Sequence, residues 1–99
     1  MKKYHTKELD ELFEAILALE TREECYLFFE DVCTIKELED MSGRLDVARL
    51  LIEGRSYQEV SKETGASTAT ISRVNKCLNY GAGGYRSVIE KLETGEETP

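Results

Sequence analysis

Few side chains in this sequence are of the kinds that do covalent chemistry, and those few are not spaced to do it together. His5 is the single histidine and lies near the N-terminus. Cys25, Cys33 and Cys77 make an odd count with no C-x-x-C pair, which is not the pattern of a disulfide-stapled secreted fold. Zinc asks for about four nitrogen or sulfur ligands at short spacing, so neither a metal site nor a cofactor is expected. The cysteines read as reduced, buried thiols of a cytoplasmic protein. Adjacent acids such as Glu23-Glu24 do not face each other on a helix and make poor acid/base dyads, while Glu96-Glu97 belong to a solvated tail. No residue is nominated as catalytic, and an enzyme is not expected.

Recognition chemistry is concentrated instead in residues 57–76, YQEVSKETGASTATISRVNK. Ser67, Thr68, Ala69, Ser72 and Arg73 would face outward on one helix, with Thr70 at the edge and Lys76 further along. Small hydroxyl side chains let a helix N-terminus approach base edges, and alanine and threonine methyls can touch thymine methyls. Arg73 and Lys76 suit phosphates, or a guanine edge for the arginine. Tyr57 and Gln58 are placed for contacts to the nucleic-acid backbone. Hydroxyl and β-branched residues are mediocre helix formers, so the run Ser-Thr-Ala-Thr suits a reading surface better than a merely solvated one.

Presenting those residues on one face requires two short helices and a tight turn, a helix-turn-helix. Ser56 to Glu59 (SYQE) has capping-box form and opens the first helix. Gly65 fits the turn, Ser61 fits the point where the second helix crosses closely, and Val60, Ala66, Ile71 and Val74 fit the inner faces. Ser67 caps the second helix, which runs to about Tyr80 and the breaker Gly81 to Gly84. Upstream, Leu9, Leu12, Phe13, Ile16 and Leu17 give one apolar helical stripe. Thr21 to Glu24 and Thr34 to Glu37 repeat the capping box. They open a second helix with Cys25, Phe28, Phe29 and Val32 on its apolar face, and a third through Met41. A fourth is expected from about Ser42 to Glu53, closed by Gly54. A short amphipathic stretch from Tyr85 to Leu92 precedes the polar ending TGEETP. The fold class is all-α, with about six short helices. Residues 1–80 are expected to form a single helical domain with the helix-turn-helix at about 57–80. Residues 81–99 are expected to form a hinge, a short amphipathic helix and an acidic tail.

Charge sorts by segment. The 99 residues carry 13 basic and 20 acidic side chains, a net charge of −7. Residues 1–54 hold 7 basic and 14 acidic groups, whereas residues 55–80 hold Arg55, Lys62, Arg73 and Lys76 against Glu59 and Glu63. An acidic body carrying a mildly basic head excludes an indiscriminate polyanion binder. It also keeps open a protein-interaction module that uses the same helix-turn-helix surface on a protein partner. No apolar run approaches the roughly 18 residues needed to span a bilayer. The start, MKKYHTKELDEL, lacks the apolar core of a secretory signal. Helices this short need tertiary burial, and pairing the apolar first helix and the two phenylalanines with a second copy would bury more of them. A homodimer is favoured.

The stretches ECYLFFEDVCTIKEL, RLDVARLLIEG and TGASTATISRVNKCLNYG resemble the Trp-repressor-like proteins, most closely their YerC/YecD group from Gram-positive bacteria. The YerC-type likeness runs from Lys7 to Tyr80, and likeness to the tryptophan repressor proper is confined to about residues 34–80. The resemblance implies an intertwined homodimer whose N-terminal helices cross between subunits. Its two heads would read successive major grooves of a partly palindromic operator on double-stranded DNA. It also places Thr68, Ala69, Thr70 and Ser72 at the DNA surface. An effector pocket is implied at Thr34, Arg44 and Arg73, where two guanidinium groups would sandwich an indole. The residue after that second arginine is glycine in the tryptophan repressor and Val74 here, so an isopropyl group would fill the slot. L-tryptophan is therefore not expected to be the corepressor, and any effector is unassigned. Arg44 also reads as a surface arginine beside Asp40 or Asp46.

Overall fold

The computed structural model describes residues 5–95, and within them six helices and no strand are formed. They are α1 (Lys7–Leu17), α2 (Arg22–Val32), α3 (Ile35–Ile52), α4 (Tyr57–Thr64), α5 (Thr68–Tyr80) and α6 (Gly84–Thr94). The all-α expectation holds. The acidic ending from Glu96 to Pro99 lies outside the described residues. The chain divides between Leu38 and Glu39 into two compact units.

The first unit is built by capping more than by burial. The Thr6 hydroxyl accepts from the Leu9 N–H at 3.1 Å and starts α1. Thr21 caps α2 through the Glu24 N–H at 3.0 Å, while the Glu24 carboxylate accepts from Glu20 N–H at 2.7 Å, one residue before the cap. Thr34 and Glu37 form a complete reciprocal box, with bonds of 3.0 and 2.8 Å. No residue of α1 or α2 is buried. Phe28 and Phe29 are half-buried with their rings edge to face, centroids 5.4 Å apart. Leu17, Leu27 and Ile35 are 82%, 69% and 76% exposed. The cysteine expectation is corrected here: Cys25 and Cys77 are exposed and Cys33 is only half-buried. Cys25 lies on α2, which buries nothing within its own chain, and Cys77 lies on the outer side of α5.

The third and fourth expected helices are one. Ser42 does not cap a new helix; its hydroxyl donates back to the Glu39 carbonyl at 3.1 Å, and α3 runs on through Gly43. A lone glycine costs a helix about 1 kcal/mol, too little to break one anchored beyond it. The anchor is Val47 and Ala48, both fully buried. Gly54 ends α3 as expected, at a φ of 95°. Its N–H donates to the Leu51 carbonyl at 3.0 Å and the Arg55 N–H to the Leu50 carbonyl at 3.1 Å, the two bonds of a Schellman motif.

The core of the second unit is Val47 and Ala48 from α3, Val60 from α4, Ile71, Val74 and Leu78 from α5, and Ile89 from α6. Residues 81–84 form a tight, bonded corner between α5 and α6. The Gly81 N–H donates to the Cys77 carbonyl at 2.8 Å, and a Cβ on Gly81 would stand 2.5 Å from that same oxygen, so no larger residue fits. Arg86 Nε donates to the Leu78 carbonyl at 3.2 Å, tying α6 back onto α5. Ile89, only 1% exposed, thus belongs to the same core as the helix-turn-helix. Ile89→Ala is expected to cost about 2–5 kcal/mol of stability, read as a lower urea midpoint. Val88→Ala, at a half-exposed neighbour, should stay within about 0.5 kcal/mol. Equal midpoints for the two variants would remove α6 from the core.

Candidate nucleic-acid interface

The helix-turn-helix starts from its caps. The Glu59 N–H donates to Ser56 Oγ at 3.1 Å, and the Ser56 N–H donates to the Glu59 carboxylate at 3.0 Å. This box fixes the first turn of α4 and leaves Tyr57 and Gln58 exposed there. Fully buried Val60 turns the opposite side of α4 to the core. Gly65 ends the helix at φ 78° and ψ 3°, a left-handed conformation natural to glycine, with its N–H on the Ser61 carbonyl at 2.8 Å.

Two hydroxyls of α4 then hold the turn. Thr64 Oγ1 donates to the Val60 carbonyl at 2.7 Å and accepts from the Ala66 N–H at 3.1 Å. Ser61 Oγ donates to the Ala66 carbonyl at 3.0 Å. Ser61 is thus more than a small residue at a helix crossing. Thr64 was not singled out by sequence reasoning; a hydroxyl residue directly before a turn glycine is the available signal.

Helix α5 has two faces. Ile71, Val74 and Leu78 point into the core, so Thr68, Ala69, Ser72, Arg73 and Lys76 lie exposed on the other side, with Thr70 half-buried at the edge. Ser67 is exposed, but its hydroxyl serves the helix end: it accepts from the Thr70 N–H at 3.1 Å and donates to Thr70 Oγ1 at 3.2 Å. The electrostatics favour an anion. Helices α1 to α4 each carry a carboxylate in the first turn, and α5 carries none, leaving its positive dipole end uncompensated. The two acids of the head are both engaged, Glu59 by its cap and Glu63 by Arg55 Nη2 at 3.0 Å. Among the described residues, no ion pair engages Arg73 or Lys76.

Of the residues named for an effector pocket, Thr34 and Val74 have structural roles, while Arg44 and Arg73 are exposed. Thr34 caps α3 through Glu37. Arg44 is exposed on α3, and Asp46 pairs with Arg49 at 3.7 Å. Val74 is 2% exposed and fills the core, while its neighbour Arg73 faces solvent. Two clefts in the second unit are lined by other residues. One, of about 300 Å³, lies at the α5–α6 corner between Cys77, Leu78, Gly81 and Tyr85. Another, of about 200 Å³, lies between Asp46, Arg49, Leu50, Glu63 and Thr64. Among the described residues, no group of three or more histidine, cysteine or acidic side chains is placed to hold a metal, and no helix is long and apolar enough to cross a membrane.

Two short helices crossing at a left-handed glycine, the second outward-facing and cation-bearing, define a helix-turn-helix protein. The chain belongs to the Trp repressor family, whose description, Trp repressor protein, matches residues 7–93. That match takes in the Lys7–Tyr80 span expected of the family likeness and runs on through most of α6. The YerC likeness is also found. The uncharacterized YerC protein of Bacillus subtilis is 52% identical over 94 residues, covering 95% of this chain and 90% of that protein. A TrpR-like protein from Eubacterium eligens superposes with a TM-score of 0.90 at 52% identity, covering 94% of this chain and 96% of that one. A candidate Trp repressor from Staphylococcus aureus gives a TM-score of 0.89 at 47% identity, covering 93% and 92%.

A side chain at Gly65 would meet nothing within 4 Å, so its replacement tests backbone strain alone. Gly65→Ala should cost about 1–2 kcal/mol in denaturant unfolding, and Gly65→Asn less, because asparagine tolerates the left-handed region. Equal stability of all three proteins would mean that the turn is not left-handed in solution.

Proposed function

We propose that this protein is a sequence-specific DNA-binding transcription regulator, not an enzyme, that acts in the cytoplasm as a homodimer on a partly palindromic operator. The observation that carries the reading is the outward face of α5, where Thr68, Ala69, Ser72 and Arg73 stand exposed at a helix start free of acidic side chains. Small groups at that end allow close approach to base edges, and Thr70 lies at the rim. Arg73 and Lys76 supply phosphate contacts, and Tyr57 and Gln58 supply further backbone contacts from α4. Ser67 contributes chiefly by capping the helix that reads.

The homodimer is supported by what the first unit leaves uncovered. Helices of 11 residues that bury nothing are marginal on their own, and α1 and α2 are both of this kind. Covering Leu17, Leu27 and Ile35 with the same residues of a second copy gives them the burial that one chain does not. Sedimentation equilibrium is expected to give twice the 11.3 kDa chain mass, and a monomer at micromolar concentration would defeat the proposal.

L-tryptophan is not the effector in this reading. The ground is position 74, where the tryptophan repressor has a glycine and this chain has a valine whose side chain is packed in the core, so no open slot for an indole is left there.

Selection of random duplexes by the full-length protein tests the DNA reading, and recovery of a partly palindromic motif is the expected result. Recovery of no motif would favour the protein-partner alternative, which the net charge of −7 suits. On the selected duplex, Thr68→Tyr should abolish specific binding while leaving the helical content unchanged. Arg73→Ala should weaken binding and lower the salt slope by about 1. A full-affinity Thr68→Tyr variant would displace the reading helix from α5.

A further inference from the structure

The turn of the helix-turn-helix contains more hydrogen bonding than a change of direction requires, and its pattern is specific. Ala66 is the one residue between left-handed Gly65 and the N-cap Ser67, so its φ and ψ set the direction in which α5 leaves α4. Its N–H belongs to the peptide plane before its Cα and its carbonyl to the plane after. The first plane is bound to Thr64 Oγ1 at 3.1 Å and the second to Ser61 Oγ at 3.0 Å. Thr64 Oγ1 is itself fixed, because its proton goes to the Val60 carbonyl at 2.7 Å. Val60 is fully buried, and Ala66 packs against the same core. Both planes flanking Ala66 are therefore pinned to the body of α4, and through Val60 to the core.

We propose that Ser61 and Thr64 are positioning residues for DNA reading, whose hydroxyls hold the angle between α4 and α5 so that the head is binding-ready without a small-molecule effector. This inference rests on the DNA-binding reading above and deepens it. Thr68 lies two residues beyond Ala66, so a small rotation at Ala66 displaces the whole outward face relative to base edges. Phosphate contacts tolerate such a displacement better than base contacts do, since long cationic side chains re-aim and hydrogen bonds to base edges do not. Loss of the hydroxyls should therefore damage discrimination between sequences more than attraction to DNA.

The test uses full-length protein and four measurements: helical content, amide exchange at Ala66, affinity for the selected duplex, and affinity and salt slope on an unrelated duplex. Thr64→Val keeps the shape of the side chain and removes both bonds of its hydroxyl. It is expected to speed exchange at Ala66 by about tenfold. It should also lower specific affinity by about tenfold, leaving unrelated-duplex affinity and salt slope unchanged. Thr64→Ser should restore both quantities. Ser61→Ala should reduce specific affinity in the same selective way, and it carries the test if Thr64→Val loses helicity. Wild-type discrimination in Thr64→Val or, where that variant is unfolded, in Ser61→Ala would overturn the proposal. Equal losses on both duplexes would do so too. A parent protein that selects no duplex defeats the DNA reading and the positioning role together; a selecting parent matched by its variants defeats the positioning role alone.

Discussion

The inward stripe of α5, Ile71, Val74 and Leu78, is the contact on which the second unit depends, because it decides where both faces of that helix go. These residues meet Val47 and Ala48 of α3, Val60 of α4 and Ile89 of α6. Removing such a side chain from water is worth about 1.5–3 kcal/mol. That gain outweighs the poor intrinsic helix preference of Thr68, Thr70 and Ser72 on the rest of the surface, which differ from alanine by tenths of a kcal/mol each. Packing thus releases the outward positions from any duty to make the helix. Small hydroxyl residues occupy them, and in a helix that had to hold itself up they would be poor choices.

The same division explains how an acidic chain can carry a surface for an acidic ligand. Net charge describes long-range attraction, whereas a site is governed by the groups within a Debye length, about 8–10 Å at ordinary salt. In the head, Glu63 is neutralised by Arg55 and Glu59 is spent on a backbone cap. Lys62, Arg73 and Lys76 outnumber the one charge that Glu59 keeps, so the local sign is positive. An exposed pair such as Arg55–Glu63 adds only about 0.2–1 kcal/mol to stability. Its larger consequence is electrostatic, since it silences a carboxylate near the turn. The acidic body still opposes nonspecific adhesion, so in the DNA-binding reading proposed above, binding that is useful at cellular salt has to come from shape and base contacts.

Much of this was legible in the sequence wherever a local signal had one physical outcome. Thr34 with Glu37 and Ser56 with Glu59 form the reciprocal boxes their spacing predicts, and Gly54 and Gly65 adopt the left-handed conformations expected after a helix. The inner and outer faces of α5 follow from a three- and four-residue apolar period. The failures came where two signals competed. Ser42 and Gly43 read as a boundary, but buried Val47 and Ala48 carried the helix through. Cysteine is usually a buried residue, yet Cys25 sits on a helix that buries nothing and Cys77 on the outer side of α5. Glycine-rich residues 81–84 read as a breaker and α5 does end there, but composition could not show that the Cys77 carbonyl leaves no room for a Cβ on Gly81. Thr64 could not be found by periodicity, since its role lies in a hydroxyl bond to the next turn and not in the face it occupies.

The first unit sets the remaining constraint. Its helices are well capped, but a cap contributes about 1 kcal/mol and fixing one backbone residue costs about 1–2. Caps at Thr6 and Thr21 therefore cannot hold α1 and α2 against their own entropy. Only apolar burial is large enough, and the residues that could supply it, Phe13, Leu17, Tyr26, Leu27 and Val32, are left more than half exposed by their own chain. In the homodimer proposed above, that surface is where folding and association become one event. The stability of such a protein depends on its concentration, because the folded N-terminal unit exists to the extent that a second copy is bound. The second unit, with its own closed core, is not subject to this dependence. On that proposal, a reading head with its own closed core would be joined to an element that is completed only by a second copy, so the order of the second element, and not of the first, would depend on pairing.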